Sequence, residues 1–554
     1  MKDDRPPLVF ETPGGLSVSY QGRLLYSGRD PARLPQRLAA ACDPGPARLH
    51  LVPSPLLWYG VPELLAAMGE GSALLCVEAN PQLATLALAH MPSNLLADKR
   101  VTFIETSSIE AAVDAARNLG SFRACSLAAL SGGKSPDTAF YSALASVLSA
   151  DFEASWRNRA ALMILGPRWA RNIFDNIAAL PTIAPGPLPL FPAAVMVCGA
   201  GPSLEEALPL ILRVRSRLGV AGLGVIACDT ALGTLLGAGI EPDLVICLEG
   251  QAHNLSDFTC LGSRSVALAA DISSHPATFH AMRGRKFLTL TRITPSPFLA
   301  RVEDAMKESG LPFLSVPPLG SVGVHAVHIA ALLADGPLLA AGLDFSFETG
   351  KTHARGCPSL LAEERHLSRL TRWPGQYAAS FRDRTMATDH GEPPSIQRLS
   401  DPILLSYAAL LENRFGDSGI LDLRTGGPSI GGRRVSPAQA ESLLSTPDIP
   451  STSRRDGYMG TEAASFDAER ASRVLRLFLK DEQRRLNELR LSMRGTNPLR
   501  KEEFLSLASE SDYLWWGFPD QDRARELPQD FLNRLVPQVE YWSHRIRTIA
   551  ASIE

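Results

Sequence analysis

From residue 186 to 440 the chain alternates short apolar runs with segments of helical spacing. The runs are "AAVMVCG", "GVIACDT", "DLVICLE", "SVALAAD", "KFLTLTR" and "GPLLAAGLDFSF". Each is short and bounded by turn residues, and so reads as a buried strand. Strands that alternate with helices predict a parallel α/β sheet. In an open sheet of this kind ligands sit beyond the carboxyl ends of the strands, so functional residues are sought there.

The region up to about residue 180 has a related order. Leu16, Val18 and Tyr20 alternate with serines as on a half-buried strand, and Gln21 and Gly22 turn the chain into a second strand, Arg23 to Tyr26. Strands in "ARLHLVPSP", "SALLCVEANP" and "RVTFIETSS" follow, with helices at Val61–Met68 and Gln82–His90 between them. That βαβαβ order predicts a Rossmann-like domain. Glu78 ends the strand that carries a ribose-binding acid in such domains. The preceding loop, Pro53 to Tyr59, lacks the glycines a nucleotide needs, so Glu78 is expected to be a solvated or capping acid, and the domain structural or partner-binding.

A proline-rich stretch, Leu180 to Pro192, predicts an extended linker. Past a second joint at Thr446 to Gly460 the pattern changes. Val474, Leu475, Phe478, Leu486, Leu489 and Met493, then Leu535, Val539, Trp542, Ile546 and Ile549, recur at helical spacing. Three domains are expected: an N-terminal Rossmann-like α/β domain (1–180), a central α/β domain (186–440) and a helical C-terminal domain (455–554). Trp515 and Trp516 read either as an exposed aromatic pair for a partner or as filling between helices.

Composition narrows the function. The 554 residues carry a net charge of −3, are 45% hydrophobic and 20% charged, and so fit a soluble globular protein rather than a nucleic-acid or membrane binder. The eight cysteines form no C-x-x-C pair. Most lie in apolar runs, as reduced core thiols of a cytoplasmic protein do. The start, "MKDDRPPLVFETPGG", lacks the basic-then-apolar pattern of a signal peptide. His325 to Leu343 is broken by Asp335, Gly336 and Pro337, and so predicts a helix and a strand instead of a membrane span.

Six motifs fall at predicted strand ends or in the loops beyond them. "VCGAGPSLEE" places Gly199, Ala200, Gly201, Pro202, Ser203 and Leu204 between a strand and a helix, where backbone N–H groups and the helix dipole suit a phosphate. It starts like the dinucleotide fingerprint G-x-G-x-x-G but has Leu204 at the third glycine. The others are Asp229 with Thr230; Glu249; Gly320 with Ser321; Asp344 with Lys351, Thr352 and His353 in the following loop; and the glycine-rich Thr425 to Gly432. Singly, each has an ordinary reading as a cap, a turn or a solvated loop residue.

"CGAGPSL", "IACDTAL", "GIEPDLVICLE", "GSVG", "AGLDFSF", "GKTHARG" and "TGGPSIGG" resemble, in order and spacing, the Maf (motility accessory factor) family, flagellin glycosyltransferases built around an MptE-like domain. The N-terminal "PLLWYGVPELL" and "LLCVEANP" also look like that family. The resemblance implies a central domain similar to a sialyltransferase fold. It also implies transfer of a nonulosonic acid from a CMP-activated donor to Ser/Thr hydroxyls of flagellin. Archaeal relatives of the same domain are pterin diphosphokinases. Glu249 stands where the family usually has Asp.

On this reading Gly199 to Leu204 holds the donor phosphate, and Asp229 and Thr230 bond the ribose or cytosine. Ser321, Lys351 and Thr352 take a donor carboxylate or phosphate. An attacking hydroxyl must lose its proton, and an imidazole is suited to accept it; His353 is the candidate base and Asp344 its orienter. No D-x-D motif is present, so no obligatory metal or other cofactor is expected. The flanking regions are expected to serve the acceptor protein. A pterin-type diphosphokinase using ATP and Mg²⁺, and a non-catalytic flagellar assembly protein, are the alternatives.

Overall fold

The computed structural model describes residues 6–120, 122–293, 296–348, 350–370, 385–386, 398–416, 419–444 and 467–551. The Thr446–Gly460 joint lies outside them. Contacts divide the chain into two compact units, Met1–Ile164 and Leu165–Glu554. The division falls inside one helix, Thr138–Ile183, which runs through Pro167 and Pro181. The first residues of the expected linker are therefore helical. Tertiary burial outweighs the prolines here: Phe174, Asn176 and Ile177 are buried in the second unit. Among the described residues no helix is long and apolar enough to cross a membrane.

The first unit opens with an antiparallel meander, β1 (Leu8–Thr12), β2 (Gly15–Tyr20) and β3 (Arg23–Leu24). A parallel sheet follows, formed by β4 (Arg48–Pro53), β5 (Ala73–Glu78), β6 (Val101–Glu105) and β7 (Ala124–Leu127) in the order β6-β5-β4-β7. The hairpin and the βαβαβ order match the sequence pattern; β1 and β7 are additions to it. The loop after β4 carries three non-glycine residues in the left-handed region, Ser54 (φ 49°), Leu56 (47°) and Trp58 (61°). Tyr26 holds it, its hydroxyl donating to Pro55 O (2.8 Å) and accepting from Leu57 N (3.3 Å). Trp58 Nε1 donates to Ala87 O (2.8 Å). Leu56 and Trp58 are fully buried, so the loop turns large side chains into the core in place of the glycines that a nucleotide needs. Glu78 is buried rather than solvated: burial pushes its carboxyl up to about 7, and Oε1 accepts the Asn80 N–H (2.9 Å).

The second unit is built on nine parallel strands: β8 (Ala194–Cys198), β9 (Leu223–Cys228), β10 (Leu244–Cys247), β11 (Leu268–Asp271), β12 (Lys286–Thr291), β13 (Leu314–Val316), β14 (Leu338–Ala341), β18 (Leu421–Asp422) and β19 (Arg433–Arg434). Between β14 and β18, the short strands β15 (Phe347–Glu348), β16 (Thr385–Met386) and β17 (Arg398–Ser400) form a small antiparallel sheet. In space the large sheet runs β13-β12-β11-β10-β9-β8-β14-β18-β19. Its six central runs are those the sequence predicts. Val195, Val197, Ile226 and Ile246 from the strands pack with Ile329 and Leu333 of helix Val322–Leu333 in one core.

The C-terminal helices, Ala468–Met493 and Gln529–Ala551, pair with each other, and the first also packs on helix Pro297–Ser309 of the sheet domain. They belong to the same compact unit as the sheet. Phe174, Phe298, Tyr513 and Trp542 stack with ring centroids 4.6–5.3 Å apart. Glu482, with a fully buried side chain, takes the Arg301 Nε at 3.0 Å, and Asp512 accepts the Phe298 N–H at 2.9 Å. Trp515 and Trp516 are 7% and 3% exposed, and Trp516 Nε1 donates to Asp512 (2.9 Å). Their role is filling, not an exposed pair.

Candidate functional site

The strand order reverses beside β8. The chain steps outward from β8 to β13, then returns to β14 on the other side of β8. Loops leaving neighbouring strands in opposite directions open a crevice between them. A cleft of about 220 Å³ lies there, lined by Gly199, Ala200 and Gly201 after β8, Thr230 after β9, Ser321 to Gly323 at a helix start, Gly342 to Ser346 after β14, Thr352 and His353, and Leu404 and Tyr407.

The glycine loop forms part of the cleft wall, but most of its N–H groups face the protein. Gly199 N donates to Ala341 O (2.8 Å), Gly201 N to Gly342 O (2.8 Å), Ser203 N to Asp344 Oδ2 (2.9 Å) and Leu204 N to Gly201 O (3.0 Å). Pro202, Ser203 and Leu204 are buried outside the cleft. With those four N–H groups bonded to the protein, the loop offers a phosphate fewer donors than the strand–glycine–helix pattern implies. Its glycines let two backbones touch. A Cβ on Gly199 would stand 2.3 Å from Gly342 O, and one on Gly201 would stand 2.6 Å from Asp344 Oδ2. Gly201→Val is accordingly expected to destabilise the second unit by about 1–3 kcal/mol or more, as overpacking does. An unshifted melting curve would refute this close packing.

Asp344 is 2% exposed and accepts from both the N–H and the hydroxyl of Ser203. Burial raises its pKa, while the Ser203 bonds oppose the rise. His353 is not its partner, so Asp344 braces the glycine loop instead of orienting an imidazole. Asp229 is also turned inward: Oδ1 accepts the Thr230 N–H (2.8 Å) and Oδ2 the Asn254 amide (2.8 Å). Only Thr230 of that pair reaches the cleft. Nearby Asp257 is pushed up to about 7 by burial and by the Asp229 charge. Glu249 lies outside the cleft and closes a turn through Gln251 N (3.0 Å).

Ser321 caps helix Val322–Leu333, its hydroxyl accepting from Gly323 N (3.2 Å). The first N–H groups of a helix lack partners within it, so this start presents donors and the positive dipole end to the cleft. Gly320 (φ 70°) is needed for the approach, since a Cβ there would lie 2.8 Å from the Tyr407 ring.

"GKTHARG" is held in place by bonds to neighbouring elements. Ala354 N donates to Ala200 O (2.8 Å), Arg355 N to Glu205 Oε1 (2.7 Å) and Thr234 Oγ1 to Arg355 O (2.8 Å). Lys351 pairs with Glu205 at 2.9 Å and does not line the cleft. His353 is half-buried at the cleft wall, and burial lowers its pKa while Glu363 opposes that shift. Its Nδ1 lies 3.1 Å from Thr352 Oγ1, which lies 3.2 and 3.3 Å from the two Glu363 oxygens. Among the described residues Nε2 has no protein partner.

Sequence reasoning missed Gly342, Phe345, Ser346, Leu404, Tyr407 and Glu363. Glu363 sits in helix Pro358–Arg365, directly after the loop, and a polar helix carries no mark of which acid folds back.

Residues 171–350 match the family described as 6-hydroxymethylpterin diphosphokinase MptE-like. That stretch of the central domain is similar to MptE-like proteins. Over its whole length the chain superposes on the Maf glycosyltransferase from Magnetospirillum magneticum AMB-1, with a TM-score of 0.55 and 15% identity, covering 100% of this chain and 94% of that one. The two share a fold. A Treponema pallidum (strain Nichols) protein described as uncharacterized is 27% identical over 568 residues, 99% of this chain and 96% of its own length. The stretch that matches MptE-like proteins supplies the cleft residues from Gly199 to Ser346, while Thr352, His353, Leu404 and Tyr407 come from beyond it.

Proposed function

We propose that this chain is a glycosyltransferase that moves a nonulosonic acid from a CMP-activated donor to Ser/Thr hydroxyls of flagellin in the cytoplasm. The observation that carries the reading is an imidazole with an open Nε2 in the same cleft as a helix N-terminus. The helix start suits the anionic donor, and the imidazole suits the proton of an attacking hydroxyl. Thr230 and Ser321 are polar side chains at the cleft wall that suit donor contacts, and Leu404 and Tyr407 offer an apolar wall for a ring.

A diphosphokinase reading follows from the name of the matched family. It needs carboxylates free to hold Mg²⁺ beside the phosphates. The strand-end acids do not fit that need: Asp344 is engaged by Ser203, and Asp229 by Thr230 and Asn254.

A thermal-shift series separates the readings. CMP is expected to raise the melting temperature, because a ligand at 100 times its Kd stabilises by about 2.7 kcal/mol. A shift with ATP and Mg²⁺ alone would favour the diphosphokinase. No shift with either would favour a non-catalytic flagellar assembly protein.

A further inference from the structure

We infer that Glu363 and Thr352 form a relay that fixes the tautomer of His353, making Thr352 and Glu363 positioning residues for the base. The inference rests on the transferase reading for its purpose, but its geometry stands alone. Thr352 has one hydroxyl hydrogen and two candidate partners. A carboxylate only accepts hydrogen bonds, so the hydrogen at Thr352 goes to Glu363 (3.2 and 3.3 Å). The Thr352 oxygen is then left with lone pairs toward His353 Nδ1, 3.1 Å away. A contact of that length requires Nδ1 to carry the proton. In neutral imidazole the other nitrogen is then bare. Nε2 therefore holds the lone pair.

The consequence is chemical. As the acceptor oxygen bonds to the anomeric carbon, its proton passes to Nε2. The bond from that carbon to the phosphate oxygen breaks, and its electron pair leaves with CMP. The resulting imidazolium keeps its Nδ1–H bond to Thr352, and Glu363 faces the new charge through that hydroxyl. The same logic explains why a threonine precedes the histidine: the hydroxyl serves as acceptor on one side and donor on the other.

The ring tautomer can be read directly by long-range ¹H–¹⁵N correlation on the full chain with ¹⁵N-labelled histidine, the His353 signals being assigned by their loss in His353→Gln. There are 11 histidines to resolve. The wild type is expected to show the Nδ1–H form. Thr352→Ser is expected to keep it. Thr352→Val is expected to lose it, with signal moving to the Nε2–H form. An Nε2–H form in the wild type, or an unchanged Nδ1–H form in Thr352→Val, would overturn the relay. In the transfer assay, Thr352→Val is expected to lower kcat by at least about 10-fold, bounded by the whole worth of a general base, about 10²–10⁴-fold. Thr352→Ser is expected to restore most of it. If the tautomer results hold while no CMP-sugar is turned over, the relay stands and the transferase reading fails.

Discussion

A chain ending at residue 455 is expected to lose the cooperative melting of its second unit. The deletion removes Leu475, Leu479, Leu486, Leu489, Phe531, Leu535, Trp542 and Ile546, each at most 2% exposed. Each contributes about 1.5–3 kcal/mol by burial. Together they are comparable to or larger than the roughly 5–15 kcal/mol that separates folded from unfolded domains. The cut also leaves Arg301 without Glu482 and removes two rings that pack on Phe174 and Phe298. A helical region serving only a partner would come off cleanly, and nucleotide binding would survive. Circular dichroism melting of residues 1–455 beside the full chain checks this. A wild-type melt in the shortened chain would mean that the helices are an appendage.

His353→Ala is expected to lower the maximal transfer rate by about 10²–10⁴-fold, the usual worth of a positioned acid–base group. Its melting temperature should barely move, because the loop is held by Ala354, Arg355 and Lys351, not by the imidazole. The wild-type rate should also fall on the acid side. The neutral ring is the active form, and burial lowers its pKa below the ordinary value of about 6.5. The neutral form therefore persists to lower pH than in a free histidine, and the acid limb should have its midpoint below about 6.5. Steady-state rates across pH, with donor and acceptor saturating, test both statements. A variant that keeps the full rate would exclude His353 as the base.

These expectations separate what is local from what is not. The six central strands were legible because each is a short apolar run between turn residues, and that signal lies within a few residues. Among the strands missed are β1, β7, β13, β18 and β19. Three of them, Leu314–Val316, Leu421–Asp422 and Arg433–Arg434, are only two or three residues long and owe their pairing to neighbours far along the chain.

The pattern of residues was enough to foresee a parallel sheet whose strand ends carry glycines, acids and a histidine-bearing loop. It also placed Thr230, Ser321, Thr352 and His353 among the candidates, and all four line the cleft. Which way each group turns depends on neighbours brought together by folding. Asp344 and Gly201 are far apart in the chain, yet β8 and β14 are adjacent, so the acid caps the glycine loop and most of the loop's N–H groups are engaged before any ligand arrives. Hydrogen-bond satisfaction of buried groups is a property of the assembled neighbourhood, and residue type alone does not reveal it. The same holds for Glu363, whose meaning comes from one helical turn folding it back onto Thr352.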